Sequence, residues 1–469
     1  MPIRWIRRFA LLLVAVLALA ACGSGSDSDS GGDGGGTAAS DCPIGAVDEA
    51  GGPVEITFWH AMTDANLEAL ESLVADYNAS QDDIQVEAVY QGSYADTLKK
   101  YTAAVSGGGD LPDLIQLEDT ATQAMIDSQT VLPAQACVEA DDYDLSDYIQ
   151  KTIDFYTVQG TLYPMPWNVS NLLLYYNAQA FEKAGLDPDT PPRTLDEVRE
   201  ASQAIVDAGA ADKGFALKLD PWWLEQMTAS VGEEFVNNGN GRDERATASS
   251  FDNDASLEVY EWMNDMVADG LALNTGSPEG GNFDNLLSIG SDEAAMTIDT
   301  TAALGTIRGV LGGGQFPNVT LAVGPRPNLE GEEPNAVVAG GANYMINAGS
   351  DAEQEAAWRF MTWLNEPEQQ ATWSVATGYI PIRQSAVDMP EIQELWAGEP
   401  EFKVAYDQLQ GGEDNVAIEG PVIGPYREVR DVIIASFERM LGEGQSPADA
   451  LASAAAGADD EITQYNELN

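Results

Sequence analysis

Apolar and polar positions along this chain alternate in two rhythms. Val54 to His60 alternates with period two and is rich in β-branched and aromatic residues, which predicts a strand. After Thr63 or Asp64, either of which suits a helix cap, Leu67, Leu70, Val74 and Tyr77 recur at helical spacing. Ile84 to Val89 alternates again, Tyr94 to Ser106 reads as a helix ended by Gly107-Gly108-Gly109, and Leu114 to Leu117 is a short buried strand. This β-α-β-α-β order predicts a parallel sheet with right-handed crossovers, with Trp59-His60 and Glu118-Asp119 on the ligand-facing rim.

The order then repeats with variation. Strands are predicted at Leu172 to Tyr176, Gly214 to Leu219, Ala294 to Ile298 and Val337 to Ile346. Helices are predicted around Leu195, Val198 and Ile205, opened by a Thr194/Glu197 capping box, and at 257–268, 356–364, 428–441 and 447–465. Residues left after the N-terminal segment suit two lobes better than one simple core.

Charge narrows the partners. The 469 residues carry 77 acidic and 21 basic side chains, a net −56, which disfavours nucleic acid and anionic lipid surfaces. The N-terminus departs from this balance. Arg4, Arg7 and Arg8 precede an apolar or small run from Phe9 to Ala21, too short for a spanning helix. Leu19-Ala20-Ala21-Cys22 then matches the bacterial lipobox, so residues 1–21 are expected to be a signal peptide and Cys22 the lipidated N-terminus, anchoring an extracytoplasmic domain to the cell membrane. Residues 22–52 read as a tether, Gly/Ser/Asp-rich from 23 to 41. In an oxidising compartment the remaining pair, Cys42 and Cys137, is expected to form a disulfide, with two free thiols as the alternative.

Catalytic kits are scarce. His60 is the one histidine, and no nucleophile elbow, P-loop or HExxH occurs. With so few thiols and imidazoles, neither a metal site nor a cofactor is expected. Aromatics near turns (Trp59, Trp167, Trp222, Trp223, Tyr379) suit stacking against a ligand, which points to binding rather than catalysis. A secreted hydrolase using His60 or Asp119 as base, and a receptor feeding a sensor, are the competing classes.

Several stretches carry a resemblance: ITFWHAM at 56–62, YQGSYADTL at 90–98, LLYYNAQAFEKAGLDPDTPPRT at 173–194, AAMTIDT at 294–300, GGANYMI at 340–346 and TGYIPIR at 377–383. With them the chain resembles the extracellular solute-binding proteins of ABC importers, most closely those that bind glycerol 3-phosphate. The resemblance implies an α/β, periplasmic-binding-protein-like fold of two lobes with crossing hinge strands: 53–168 plus 299–348, and 169–298 plus 349–469. It implies a monomer that passes a small-molecule solute to membrane permease subunits. Position by position it implies ligand contacts from Tyr94, Asp119, Ser170, Trp222, Thr300, Gly341, Tyr379 and Arg430. Two departures, Leu219 for a pocket tryptophan and Asp119 for a glutamate, leave more room. A glycerophosphodiester or a sugar therefore competes with glycerol 3-phosphate.

Overall fold

The computed structural model describes residues 42–277, 283–312, 316–329, 331, 339–411 and 415–469; the expected signal peptide, Cys22 and the tether to residue 41 lie outside them, as do 337 and 338 of the expected Val337–Ile346 strand. Thirteen strands are described: β1 (Val54–His60), β2 (Ile84–Tyr90), β3 (Leu114–Glu118), β4 (Val131–Leu132), β5 (Thr157–Val158), β6 (Thr161–Leu162), β7 (Met165–Ser170), β8 (Leu172–Asn177), β9 (Lys213–Lys218), β10 (Ala272–Gly276), β11 (Ala294–Thr300), β12 (Leu321–Pro325) and β13 (Ala339–Ile346). Apart from the β5–β6 hairpin they form two sheets, ordered β2-β1-β3-β13-β4 with β7 also on β13, and β10-β9-β11-β8-β12.

The expected parallel core is present in β1, β2 and β3 and again in β10, β9 and β11. Each sheet is completed by antiparallel strands, β13 on β3 in the first and β8 between β11 and β12 in the second. β7 and β8 are buried along their whole length, as strands covered on both faces are. One apolar core lies around the first sheet and also takes in Leu173 and Tyr175 of β8, and a second lies around the second sheet. The architecture is α/β and periplasmic-binding-protein-like.

Only Asn171 separates β7 in the first sheet from β8 in the second. Its backbone is tied to the end of β11, because Asn171 N–H donates to Thr301 Oγ1 (3.1 Å) and Thr301 N–H donates to Asn171 O (2.9 Å). The chain returns from the second sheet to the first between β12 and β13. Sheet pairing and packing cut across chain order at several places, among them the following. Leu321–Pro325, assigned by sequence to the first lobe, is hydrogen-bonded to β8 in the second sheet. The helices Asp351–Leu364 and Pro367–Thr377, assigned to the second lobe, bury Trp358, Phe360, Leu364 and Trp373 in the core of the first sheet. The two helices follow their apolar faces, whereas Leu321–Pro325 joins the second sheet through its ladder with β8 while Leu321 and Val323 pack against the first core.

Local signals account for most helix starts. Thr194 and Glu197 form the expected capping box, and Ser93 with Asp96 forms another at the start of Tyr94–Gly107. Thr63 takes the N-cap position of Asp64–Ser80, but its side chain makes no capping bond, and Asp64 adopts φ 51°. Cys42 and Cys137 are joined by a disulfide, which fixes the first described residue to the helix Ala134–Ala140. No helix among the described residues is long and apolar enough to cross a membrane.

Candidate functional site

Tyr94 is the first residue of its helix, and the Ser93–Asp96 box fixes where that helix begins. Its hydroxyl accepts from Asn168 Nδ2 at 2.9 Å and from Gln116 Nε2 at 3.3 Å. Gln116 Nε2 also donates to Asn168 Oδ1 at 3.0 Å, so β3, β7 and the helix meet in one polar knot. Tyr379 joins it through hydrogen bonds with Asn168 and Tyr94, and burial pushes the hydroxyl pKa values of both tyrosines up. Behind Tyr379 the ring of Trp373 stacks at 5.4 Å, and Trp167 stacks on Trp373 at 4.5 Å, which holds the tyrosine ring in one orientation. Gln116 and Asn168 were not singled out in the sequence; two amides in buried apolar strands are the signal that was available.

Gly340 and Gly341 make room for this knot. A Cβ on Gly341 would lie 2.1 Å from Asn168 Oδ1, and Gly340 adopts φ +125° with its virtual Cβ 2.3 Å from Asn168 O. Ser170 is buried opposite Ala339 in the same ladder. Gly340 O accepts from Tyr156 Oη at 2.9 Å, and the Gly340 N–H hydrogen-bonds Asp119.

Asp119 stands just beyond β3 and opens a charged cluster. Arg430 Nη2 lies 3.9 Å from Asp119 Oδ2. Its main partner is Glu225, gripped by two charge-assisted bonds: Nε to Oε1 at 2.8 Å and Nη2 to Oε2 at 2.6 Å. The guanidinium also sits 4.8 Å over the Tyr426 ring. Its Nη1 makes no hydrogen bond among the described residues. Next to this group Arg427 pairs with Glu118. Burial raises the Asp119 carboxyl to about 7, with Arg430 opposing and Glu118 and Glu225 adding. Burial also raises Glu225 against the pull of Arg430. For Arg430 burial works downward but is outweighed by Glu225, so the guanidinium stays charged. Two arginines thus face three carboxylates, a balance the sequence did not reveal, although Glu225 within the apolar run PWWLEQM hints at a buried partner.

The other predicted residues lie on the second sheet's side. Trp222 is half-buried near the start of Pro221–Ser230, where Asp220 caps its N–H (3.1 Å), one turn before Glu225. Thr300 ends β11; its Oγ1 accepts from Ala302 N–H at 3.1 Å, and its own N–H donates to Asp299 Oδ1 at 2.7 Å. Asp299 is in turn held by Lys218 Nζ at 3.2 Å and Asn285 Nδ2 at 2.9 Å. Asp119 and Arg430 are therefore brought together, as are Tyr94 and Tyr379, while Thr300 is tied into the Lys218–Asp299 network. Leu219 is buried in the second core.

His60 ends β1 and is buried, its Nδ1 accepting from Met62 N–H at 3.3 Å. Burial lowers its pKa to about 4, so the imidazole is neutral at physiological pH. Among the described residues no group of three or more histidine, cysteine, aspartate or glutamate side chains is arranged to hold a metal ion.

The structure thus shows a knot of hydroxyls and amides around Tyr94, Asn168 and Tyr379, and a guanidinium gripped by carboxylates at Arg430. The chain belongs to the bacterial extracellular solute-binding proteins, whose family pattern matches residues 72–400. It is 29% identical over 406 residues to the sn-glycerol-3-phosphate-binding periplasmic protein UgpB of Brucella abortus, spanning 85% of this chain and 91% of that one. It is also 29% identical over 409 residues to UgpB of Rhizobium meliloti, spanning 86% and 92%. Among solved structures it is similar in fold to UgpB from Mycobacterium tuberculosis in complex with glycerophosphocholine, with a TM-score of 0.73 at 20% identity over 88% of this chain and 99% of that one. The cyclic alpha-maltosyl-1,6-maltose binding protein from Arthrobacter globiformis gives a TM-score of 0.70 at 24% identity over 88% and 100%. The protein is a transport protein of the solute-binding class, working outside the cytoplasm.

Proposed function

We propose that this protein is the receptor of an ABC importer for a solute bearing a glycerol-phosphate group, and that the phosphodiester form is preferred. The carrying observation is Arg430, gripped by Glu225 and facing Asp119. Its Nη1 edge meets a phosphate oxygen by a charge-assisted bond, and Tyr94 and Tyr379 supply hydroxyls. Asp119 takes the glycerol hydroxyls. A monoester carries up to two negative charges into a cluster whose arginines are already matched by carboxylates. A diester carries one, and a cationic head group stacked on Trp222 offsets it. The names of the UgpB relatives support the glycerol-phosphate part of this reading.

The solute is bound between two lobes, one around each sheet, which hinge at the crossing strands and close over it. Closure presents a surface to the permease, and the free energy of binding is used to shift the open–closed equilibrium. The solute leaves unchanged, in keeping with a family of solute-binding proteins. The protein works as a monomer, moored to the membrane by lipid on Cys22.

A neutral sugar is the second reading, favoured by the same pairing of Arg430 with Glu225, which leaves no unmatched cation. Calorimetry on one purified sample with glycerol 3-phosphate, glycerophosphocholine and maltose tests both. Heat from glycerophosphocholine above the other two is expected; heat from maltose alone overturns the phosphate assignment.

A further inference from the structure

Away from these residues the two lobes touch again at Asp127, the last residue of the helix Thr122–Asp127 that follows β3. Its side chain is 8% exposed and receives three donors. Gln123 Nε2 comes from the same helix at 2.9 Å. Arg245 Nη2 at 2.5 Å and the Tyr465 hydroxyl at 2.9 Å come from the elements around the second sheet. Arg245 Nη1 also reaches Asn466 Oδ1 at 3.4 Å, and Asn466 Nδ2 donates to Ala246 O at 2.8 Å. The loop bearing Arg245 and the C-terminal helix Pro447–Leu468 therefore approach Asp127 as one piece.

Gly424 makes this approach possible. A Cβ there would lie 2.1 Å from Tyr465 Cε1, and its φ is not in the left-handed region, so closeness and not backbone conformation demands the glycine. The seam is not close-packed. A cavity of about 460 Å³ opens beside it, lined by Leu98, Tyr101, Met125, Gly424, Arg427 and Tyr465. Directional polar bonds cross the interface beside this opening.

We propose that Asp127, Arg245 and Tyr465 form a latch that holds the lobes together and tunes the strength of solute capture without touching the solute. The proposal rests on the two-lobe clamp described above. An apparent dissociation constant is the intrinsic one divided by the closed fraction, so a lost latch weakens every solute by the same factor. A residue of the pocket discriminates between solutes instead.

The exported chain and its Tyr465→Phe, Asp127→Asn and Gly424→Ala variants are titrated calorimetrically with glycerol 3-phosphate, glycerophosphocholine and maltose, and their solute-free radii of gyration are measured by small-angle scattering. Tyr465→Phe is expected to weaken binding about three- to tenfold, by one common factor for each solute the parent binds, and to enlarge the solute-free radius. Gly424→Ala, which displaces the ring, is expected to do at least as much. Tyr465→Phe keeps the test decisive if Asp127→Asn does not fold. A larger radius in a protein that binds none of the three supports the latch while removing the solute assignment. Unchanged affinities together with an unchanged radius overturn the latch, as does a loss confined to one of two or more solutes that the parent binds.

Discussion

Arg430 shows how far one residue type can be read from a sequence. Its expected role as a ligand contact came from resemblance, but its bidentate partner lies 205 positions away, and no periodicity in the chain marks that pairing. In the proposed site, Glu225 sets how much positive charge the solute meets. Glu225→Gln removes one negative charge beside the guanidinium and is expected to shift preference toward glycerol 3-phosphate over glycerophosphocholine by about tenfold. The ratio of the two calorimetric affinities reads this directly, and an unchanged ratio removes Glu225 from specificity. Asp119 gives a pH signature. Its folded pKa of about 7 lies above the ordinary 3.8, so the folded protein keeps a proton that the unfolded chain loses between these values. That contribution to stability is fully present below about pH 4 and is lost as pH rises through about 7. His60, lowered from 6.5 to about 4, slopes the other way, its contribution being lost as pH falls through that range. Comparison with Asp119→Asn cancels the histidine. Urea midpoints of the parent are expected to fall relative to this variant between pH 5 and 8; parallel profiles would refute the assignment.

At the scale of elements, strands and helices were legible wherever one face is apolar. The Thr194/Glu197 box and the alternation of Val54 to His60 each specify their element locally. What the chain did not disclose is which sheet an element joins. Leu321–Pro325 and the two helices between Asp351 and Thr377 are sorted by contacts remote in sequence, and local pattern is silent about those. The glycine pair on β13 was legible as bare backbone, but its cause is Asn168. Gly341→Ala places a methyl 2.1 Å from Asn168 Oδ1. It is expected to cost about 1–3 kcal/mol of stability and to loosen Tyr94, since Asn168 anchors that hydroxyl. Chemical denaturation alongside a solute titration checks both effects; a variant as stable and as tight as the parent would mean that Asn168 swings aside freely.

For the whole molecule, the two-sheet plan was foreseeable from the repeated order of elements and from the family motifs, whereas the exact solute is not encoded in any one of them. The Cys42–Cys137 bridge spans 95 positions. A loop of that length predicts about 2–5 kcal/mol lost on reduction. The thermal midpoint is expected to drop in reductant while solute affinity measured below it stays unchanged, because neither cysteine is near Arg430's cluster in the chain or in its bonds. A midpoint indifferent to reductant would contradict this.

That bridge also has a mechanical meaning. The segment preceding Cys42 enters the body of the protein at a covalent staple on the helix Ala134–Ala140, on the side of the first sheet. Tension arriving along that segment is delivered to the part built around the first sheet. The crossover at Asn171, where the chain passes from one sheet to the other, lies off that path, so the load bypasses the point at which the proposed clamp would bend.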